Sequence, residues 1–209
     1  MAVTEKFWRD FCSHYGLDPD SYAEFTRNAE EIVHFVGSII GNRNFWQVSA
    51  DELSAIFTAT CLLAPATVVE TGVGPGSTSY AFLSALSKSG GKLYSFDLGA
   101  GYGEEKEKAP VGFLVPDHLK QNWNLTLGNS RTTLPSKLKE IKGVNIFFHD
   151  SEHTYDHVTF ELNTVMPRLS GKWLIIVDNY DWTAAPFDFA ERNGLSLVKV
   201  ADDMCFIYR

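Results

Sequence analysis

Two short polar segments of this 209-residue chain carry side chains suited to holding a hard cation and moving a proton. The first is Asp150-Ser151-Glu152-His153-Thr154-Tyr155, which follows the apolar run Phe147-Phe148-His149. The second is Asp178-Asn179, which follows Ile175-Ile176-Val177. Carboxylate and amide oxygens are hard donors that suit Mg2+ or a similar cation. An unperturbed histidine titrates at about 6.5, so His153 could take a proton near neutrality. Plainer roles exist for each. Asp178-Asn179 could cap the next helix, Asp150 could bond the backbone where its helix starts, and His153 could be a satisfied structural histidine.

A third segment is rich in glycine: Glu70-Thr71-Gly72-Val73-Gly74-Pro75-Gly76-Ser77. Glycines let a backbone turn sharply and approach a ligand closely. A helix beginning at Ser77 would add unpaired N–H groups. The same residues can be written as a dinucleotide fingerprint, G-x-G-x-x-G/A, with Ser77 standing at the small position. A ligand-free strand–helix turn is the plainer alternative, although three alternating glycines exceed what a turn requires.

These segments need elements to position them. Ser49 and Glu52 form a capping box, and Leu53, Ile56, Phe57, Thr60 and Leu63 then share one helical face up to Pro65. Short apolar runs at 67–70, 92–97, 125–127, 144–150, 172–178, 195–200 and 204–208 read as strands. Helical patterns at 77–87, 136–141, 154–169 and 184–193 separate the earlier ones. Such alternation predicts an α/β, Rossmann-like fold whose seven-stranded sheet is mostly parallel. The last two strands are joined only by Ala201-Asp202-Asp203, too short for a crossover helix, so they must pair as an antiparallel hairpin. In such sheets ligands bind beyond the C-terminal strand ends, where all three polar segments lie.

Two further segments share that edge. Asp97 ends the second strand and could accept hydrogen bonds from ribose hydroxyls. Gly128-Asn129-Ser130 follows the third strand and is either an adenine-lining segment or a Gly-Asn turn.

The glycine loop with its leading acid, the Asp97 position and the terminal hairpin together resemble class I S-adenosylmethionine-dependent methyltransferases. The resemblance covers roughly residues 65–209. It implies S-adenosylmethionine as cofactor, bound by Glu70, Thr71, Gly72, Gly74, Gly76, Ser77, Asp97, Gly128, Asn129, Ser130 and His149. Asn129 replaces the Asp usual in that family segment. Asp150 with Asp178-Asn179 resembles the cation site of catechol and caffeoyl-CoA O-methyltransferases. The form Asp150-x-x-His153-x-Tyr155 is closer to mycinamicin-type sugar O-methyltransferases. This implies a Mg2+-type cation on Asp150, Asp178 and Asn179, with His153 and Asp150 catalytic and His153 the base. O-methylation of a small-molecule hydroxyl is the expected reaction. Metal-independent N-methylation and a catalytically silent cofactor-binding module are the alternatives. An NAD-dependent oxidoreductase is disfavoured, because the glycine loop lies far into the chain and the sheet ends in a hairpin. His149-Asp150-x-x-His153 also resembles the H-E-x-x-H zinc signature, but His149 ends a strand, so the two histidines cannot share a helix face.

The bulk properties narrow the partners. A net charge of −8 with no dense Lys/Arg stripe argues against nucleic acid and leaves a small molecule. Three scattered cysteines form neither a disulfide framework nor a thiolate metal site, which suits a cytoplasmic protein. No apolar run approaches the ~20 residues a membrane span needs. Residues 1–48 read as a helical N-terminal cap before a cofactor-binding domain at 49–209. Their aromatics could cover the acceptor pocket, pack on the sheet or form a homodimer interface. Residues 99–116, with three glycines and a charge run, read as a lid.

Overall fold

The computed structural model describes residues 3–43, 45–100 and 109–209. Thr4 caps α1 (Glu5–His14), its hydroxyl accepting from the Phe7 N–H, and Trp8, Phe11 and Cys12 form the buried face. α2 (Tyr22–Ile40) buries Ala29, Ile32, Val36 and Ile40, spaced three to four residues apart. α3 (Ala50–Leu63) starts at the capping box expected from sequence: Ser49 Oγ accepts from the Glu52 N–H, and Glu52 Oε2 accepts from the Ser49 N–H at 2.8 Å.

The repeat follows: β1 (Thr67–Thr71), α4 (Ser77–Ser89), β2 (Lys92–Asp97), β3 (Trp123–Leu127), α5 (Ser130–Leu138), β4 (Val144–His149), α6 (Tyr155–Val165), β5 (Leu169–Val177), α7 (Ala185–Asn193), β6 (Ser196–Ala201) and β7 (Met204–Tyr208). The sheet has seven strands in the order β3-β2-β1-β4-β5-β7-β6. All pairs are parallel except those made by β7, which runs antiparallel to β5 and β6. This is the predicted α/β architecture with its closing hairpin.

Successive side chains on a strand face opposite ways, and the central strands are apolar on both faces. Val68, Ile146, Phe148, Leu174, Ile176 and Phe206 pack with α1 to α4. Val69, Phe147, Ile175, Val177, Cys205 and Ile207 pack with α5 to α7. Fully burying one such large side chain is worth about 1.5–3 kcal/mol.

The first two helices are part of this first core. Phe7 meets Phe206 edge-on and Phe11 meets it at a tilt, each at 5.9 Å between ring centroids, and the Tyr15 hydroxyl donates to the Trp173 carbonyl at 2.6 Å. Of the N-terminal aromatics, Phe7, Phe11 and Tyr15 on α1 pack on the sheet, whereas Phe45 and Trp46 after α2 line the pocket.

Several boundaries moved: β3 starts at Trp123 instead of 125, and α5 ends at Leu138 instead of 141. α5 starts at Ser130, not at 136, with Pro135 inside it; Asn129 caps it and Leu134 and Leu138 bury one face. The polar first turn and the proline hid a helix that tertiary burial stabilises. α6 ends at Val165, where Pro167 opens a 3-10 turn. β5 accordingly starts at Leu169, with a register shift against β4 between Val144 and Ile146. Among the described residues no helix is long and apolar enough to cross a membrane.

Candidate active site

A cavity of about 970 Å³ opens beyond the C-terminal ends of β1, β2, β4 and β5. Its lining brings together Gly72, Asp97, Asn129, Asp150, His153 and Asp178, residues spread over more than 100 positions of sequence. The strand ends are held side by side past the last ladder bonds. The Gly72 N–H donates to Phe96 O at 2.8 Å, Asp150 N–H to Thr71 O at 2.8 Å, and Asp178 N–H to His149 O at 3.0 Å.

The glycine loop is braced on both sides. Asp97 Oδ2 accepts from the N–H groups of Val73 at 2.9 Å and Gly74 at 3.1 Å, and its Oδ1 accepts from Gly99 at 2.7 Å. Across the loop, Gly112 N–H donates to Gly74 O at 2.9 Å and Leu114 N–H to Pro75 O at 3.0 Å. The later part of the expected lid packs behind the loop, with Leu114 and Val115 buried in the core. Residues 101–108, the rest of the expected lid, lie outside the described residues. Gly76 is the N-cap of α4, at φ +92° and with no side-chain cap, so the helix start keeps its first N–H groups for other acceptors.

The acidic side of the cavity is built from four elements. His153 Nε2 lies 3.8 Å from Asp150 Oδ1, and its ring meets Trp182 edge-on at 5.3 Å between centroids. Burial, then the neighbouring His149, lowers the His153 pKa to about 4, so the imidazole is neutral at pH 7. Burial and then Asp178 hold the Asp150 carboxyl well above the usual range. Asp178 is raised too, by burial and then by Glu52 and Asp203. Its buried Oδ1 has no hydrogen-bond partner among the described residues. Asn179, at φ +48°, turns its amide Nδ2 onto Asp203 Oδ2 at 2.6 Å. Asp203 in the β6–β7 turn donates its N–H to Glu52 Oε1 at 3.2 Å.

Residues 69–180 match the family model described as "Methyltransferase domain". The chain belongs to this methyltransferase family. A methyltransferase from Geobacter sulfurreducens superposes with a TM-score of 0.62 at 16% identity, covering 87% of this chain and 90% of that one. An O-methyltransferase from Bacillus cereus, solved in complex with SAH, gives 0.58 at 12% identity over 99% and 100%. CalS11, a TDP-rhamnose 3'-O-methyltransferase of calicheamicin biosynthesis, gives 0.59 at 14% identity over 91% and 95%. A comparison with curated protein sequences finds no significant match. The enzyme is a class I S-adenosylmethionine-dependent methyltransferase.

Within the methyltransferase, the expected cofactor residues divide into two sets. Gly72, Gly74, Ser77, Asp97, Gly128, Asn129 and Ser130 line the cavity. Glu70, Thr71, Gly76 and His149 stand behind its wall. Glu70 is fully buried and accepts from Thr78 Oγ1, Ser79 Oγ and Ser95 Oγ, each at 2.6 Å, tying β1 to α4 and β2. Burial pushes its pKa up to about 7, against the three hydroxyl donors. Asn129 Oδ1 accepts from the Arg131 N–H at 2.9 Å, so this amide caps α5 while facing the cavity. Trp182 lines the cavity, whereas Trp123 donates to Ser95, Tyr155 donates to Asp188 and Tyr180 packs on Phe187.

Sequence reasoning missed Glu161. This carboxylate is fully buried on α6 and gathers Thr71 Oγ1 at 2.6 Å, His149 Nδ1 at 2.7 Å, His157 Nε2 at 2.8 Å and Ser151 Oγ at 3.1 Å. His157 is thereby buried while still lining the cavity. A signal was present: Glu161 sits in phase with Val158, Leu162 and Val165 on the apolar stripe of α6. Burial works to raise its pKa, but hydrogen bonds from His149 and His157 more than offset it and hold the group below the usual carboxylate range. A depressed folded pKa contributes stability above the unfolded value of about 4.5, lost as pH falls through the folded one. Glu161→Gln keeps the shape and removes the charge. It is expected to cost ~2–3 kcal/mol at pH 7 and to flatten the decline of urea stability below about pH 4.5. Parallel stability profiles for variant and wild type would refute this account.

Proposed function

We propose that this methyltransferase methylates a hydroxyl oxygen of a small molecule with the help of a divalent cation. The observation that carries the reading is one cavity holding the braced glycine loop, the neutral His153 beside Asp150, and a buried Asp178 oxygen without a partner. Its volume, about 970 Å³, suits a cofactor and an acceptor together.

The loop residues fit an adenosyl cofactor. Asp97 and Asn129 offer hydrogen-bonding edges to a nucleoside, and the uncapped start of α4 offers N–H groups to an amino-acid carboxylate. Bound there, S-adenosylmethionine supplies an already activated methyl group. The protein's task is then chiefly orientation, which can be worth ~7–11 kcal/mol. A hydroxyl is a poor nucleophile while protonated, and His153 supports its activation by accepting that proton. Asp150, Asp178 and Asn179 are the sequence-expected ligands of the cation, and the unpartnered Asp178 Oδ1 fits such a group. Bound there, a divalent cation would lower the pKa of the hydroxyl.

The wall also bears on the acceptor. Among the described residues it carries seven acidic side chains, from Glu52 and Asp97 to Glu152 and Asp202, but no Lys or Arg. A neutral or cationic acceptor suits it better than an anionic one such as a TDP-sugar, the acceptor class named for CalS11. Exposed Trp46 and Trp182 at the mouth suit an apolar or aromatic face on that acceptor.

The test has two steps. Calorimetry should show S-adenosylhomocysteine binding and no NAD binding; NAD binding alone would sink the assignment. Labelled-methyl transfer to a panel of hydroxyl and amine acceptors should then label oxygen, with EDTA lowering the rate ~10-fold or more. Labelling of nitrogen only, at a rate indifferent to EDTA, would replace this reading by metal-independent N-methylation.

A further inference from the structure

Resting on the cation-assisted reading, we propose that the cation is held by Glu52, Asp178 and Asp203, with Asn179 acting as the group that orients Asp203. The three carboxylates come from α3, the end of β5 and the β6–β7 turn, and one oxygen from each lies within 4.8 Å of the others. Glu52 is 2% exposed and Asp178 7%. Only Asp178 belongs to a motif that marked the site in sequence.

Buried carboxylates are ordinarily paired with a cationic side chain or a metal. No Lys or Arg lines this cavity among the described residues. Asp178 Oδ1 is the second, independent sign: it is buried, lines the same cavity and lacks any hydrogen-bond donor among the described residues. An ionised carboxylate has about four acceptor positions. Glu52 spends one on the Ser49 N–H and one on the Asp203 N–H. Those bonds hold its oxygens in place and leave acceptor positions over for a ligand.

Asn179 takes a different part from the one expected. Its Nδ2 donates to Asp203 Oδ2, the geometry of a partner that orients a ligating carboxylate. The donor set is all oxygen, with no thiolate or imidazole. It therefore selects a hard cation such as Mg2+, Mn2+ or Ca2+ over zinc or copper. Such a site would also join the β6–β7 turn and α3 to the catalytic edge. Cation binding would then brace the cavity wall as well as serve the reaction.

Mn2+ serves as the probe, because its paramagnetic resonance signal counts free and bound ions directly on the full chain without any acceptor. The wild type should bind one Mn2+. Glu52→Gln and Asp203→Asn should each weaken it ~10-fold or more while S-adenosylhomocysteine affinity stays within about twofold. Glutamine still completes a capping box, and asparagine can still accept from Asn179, so both variants keep the local bonds. Circular dichroism checks folding, and if Glu52→Gln does not fold, Asp203→Asn decides. Wild-type Mn2+ affinity in Asp203→Asn, with loss in Asp150→Asn, would overturn this site yet leave cation assistance standing. No Mn2+ binding by the wild type at millimolar concentration would overturn both.

Discussion

Gly72→Ala should destabilise the enzyme by ~4 kcal/mol or more and abolish measurable S-adenosylhomocysteine binding. Gly72 adopts φ +83°, a conformation that costs a side chain ~1–2 kcal/mol by itself. The larger part is steric. A Cβ at Gly72 would fall within the envelope of the Asp150 carbonyl oxygen and carbon, and 3.1 Å from the Ser151 nitrogen. These are backbone atoms, and they cannot swing away as a side-chain tip would. The Asp150 N–H is bonded to Thr71 O at 2.8 Å, so the two strand ends are tied together where the methyl group would collide. Relief requires β4 to part from β1, which would carry Asp150 and His153 away from the glycine loop. Gly90→Ala is the control: it has φ +77° but nothing within 4 Å of the added carbon. It should lose only ~1–2 kcal/mol and keep its affinity. Urea unfolding and calorimetry on both variants decide the matter, and equal losses in the two would show that strain, not close approach, governs Gly72.

His153→Ala should reduce turnover ~10²–10⁴-fold, the usual worth of a positioned general base, once an acceptor is in hand. Affinity for S-adenosylhomocysteine should stay within about twofold, because the ring and charge contacts of His153 are with Asp150, Trp182 and the buried His149, which stands behind the cavity wall. The ring is well placed for the part. Burial keeps it neutral at pH 7, with Asp150 Oδ1 3.8 Å from its Nε2. A merely structural histidine would instead lower thermal stability and spare turnover per folded molecule. Turnover within threefold of wild type would remove His153 from the base role and turn attention to Asp150.

Both predictions lean on neighbours that differ in how far sequence revealed them. The alternation of strands and helices was legible because the strands appear as short continuous apolar runs such as Val68-Val69, and the helices repeat every three to four residues, as at Leu53, Ile56 and Phe57. The capping box at Ser49 and Glu52 was legible for the same local reason. The second role proposed for Glu52 was not, since its partner Asp203 lies 151 residues away. Glu161 was half-visible: its phase on α6 pointed inward, but a glutamate on an apolar stripe gains sense only when Thr71, His149 and His157 are seen around it.

By itself, then, the sequence determined the α/β order, the closing hairpin, and which strand ends carry glycine, carboxylate and imidazole. Those are consequences of short-range sterics and of side-chain alternation. The tertiary structure alone decided that Glu70 braces the loop from behind and that α1 packs on the sheet, with α2 laid against α3. It alone also set the β6–β7 turn against α3. The physical reason is common to all three. Burial and hydrogen-bond satisfaction are settled between groups that the chain keeps far apart, and no local pattern records which of them will meet.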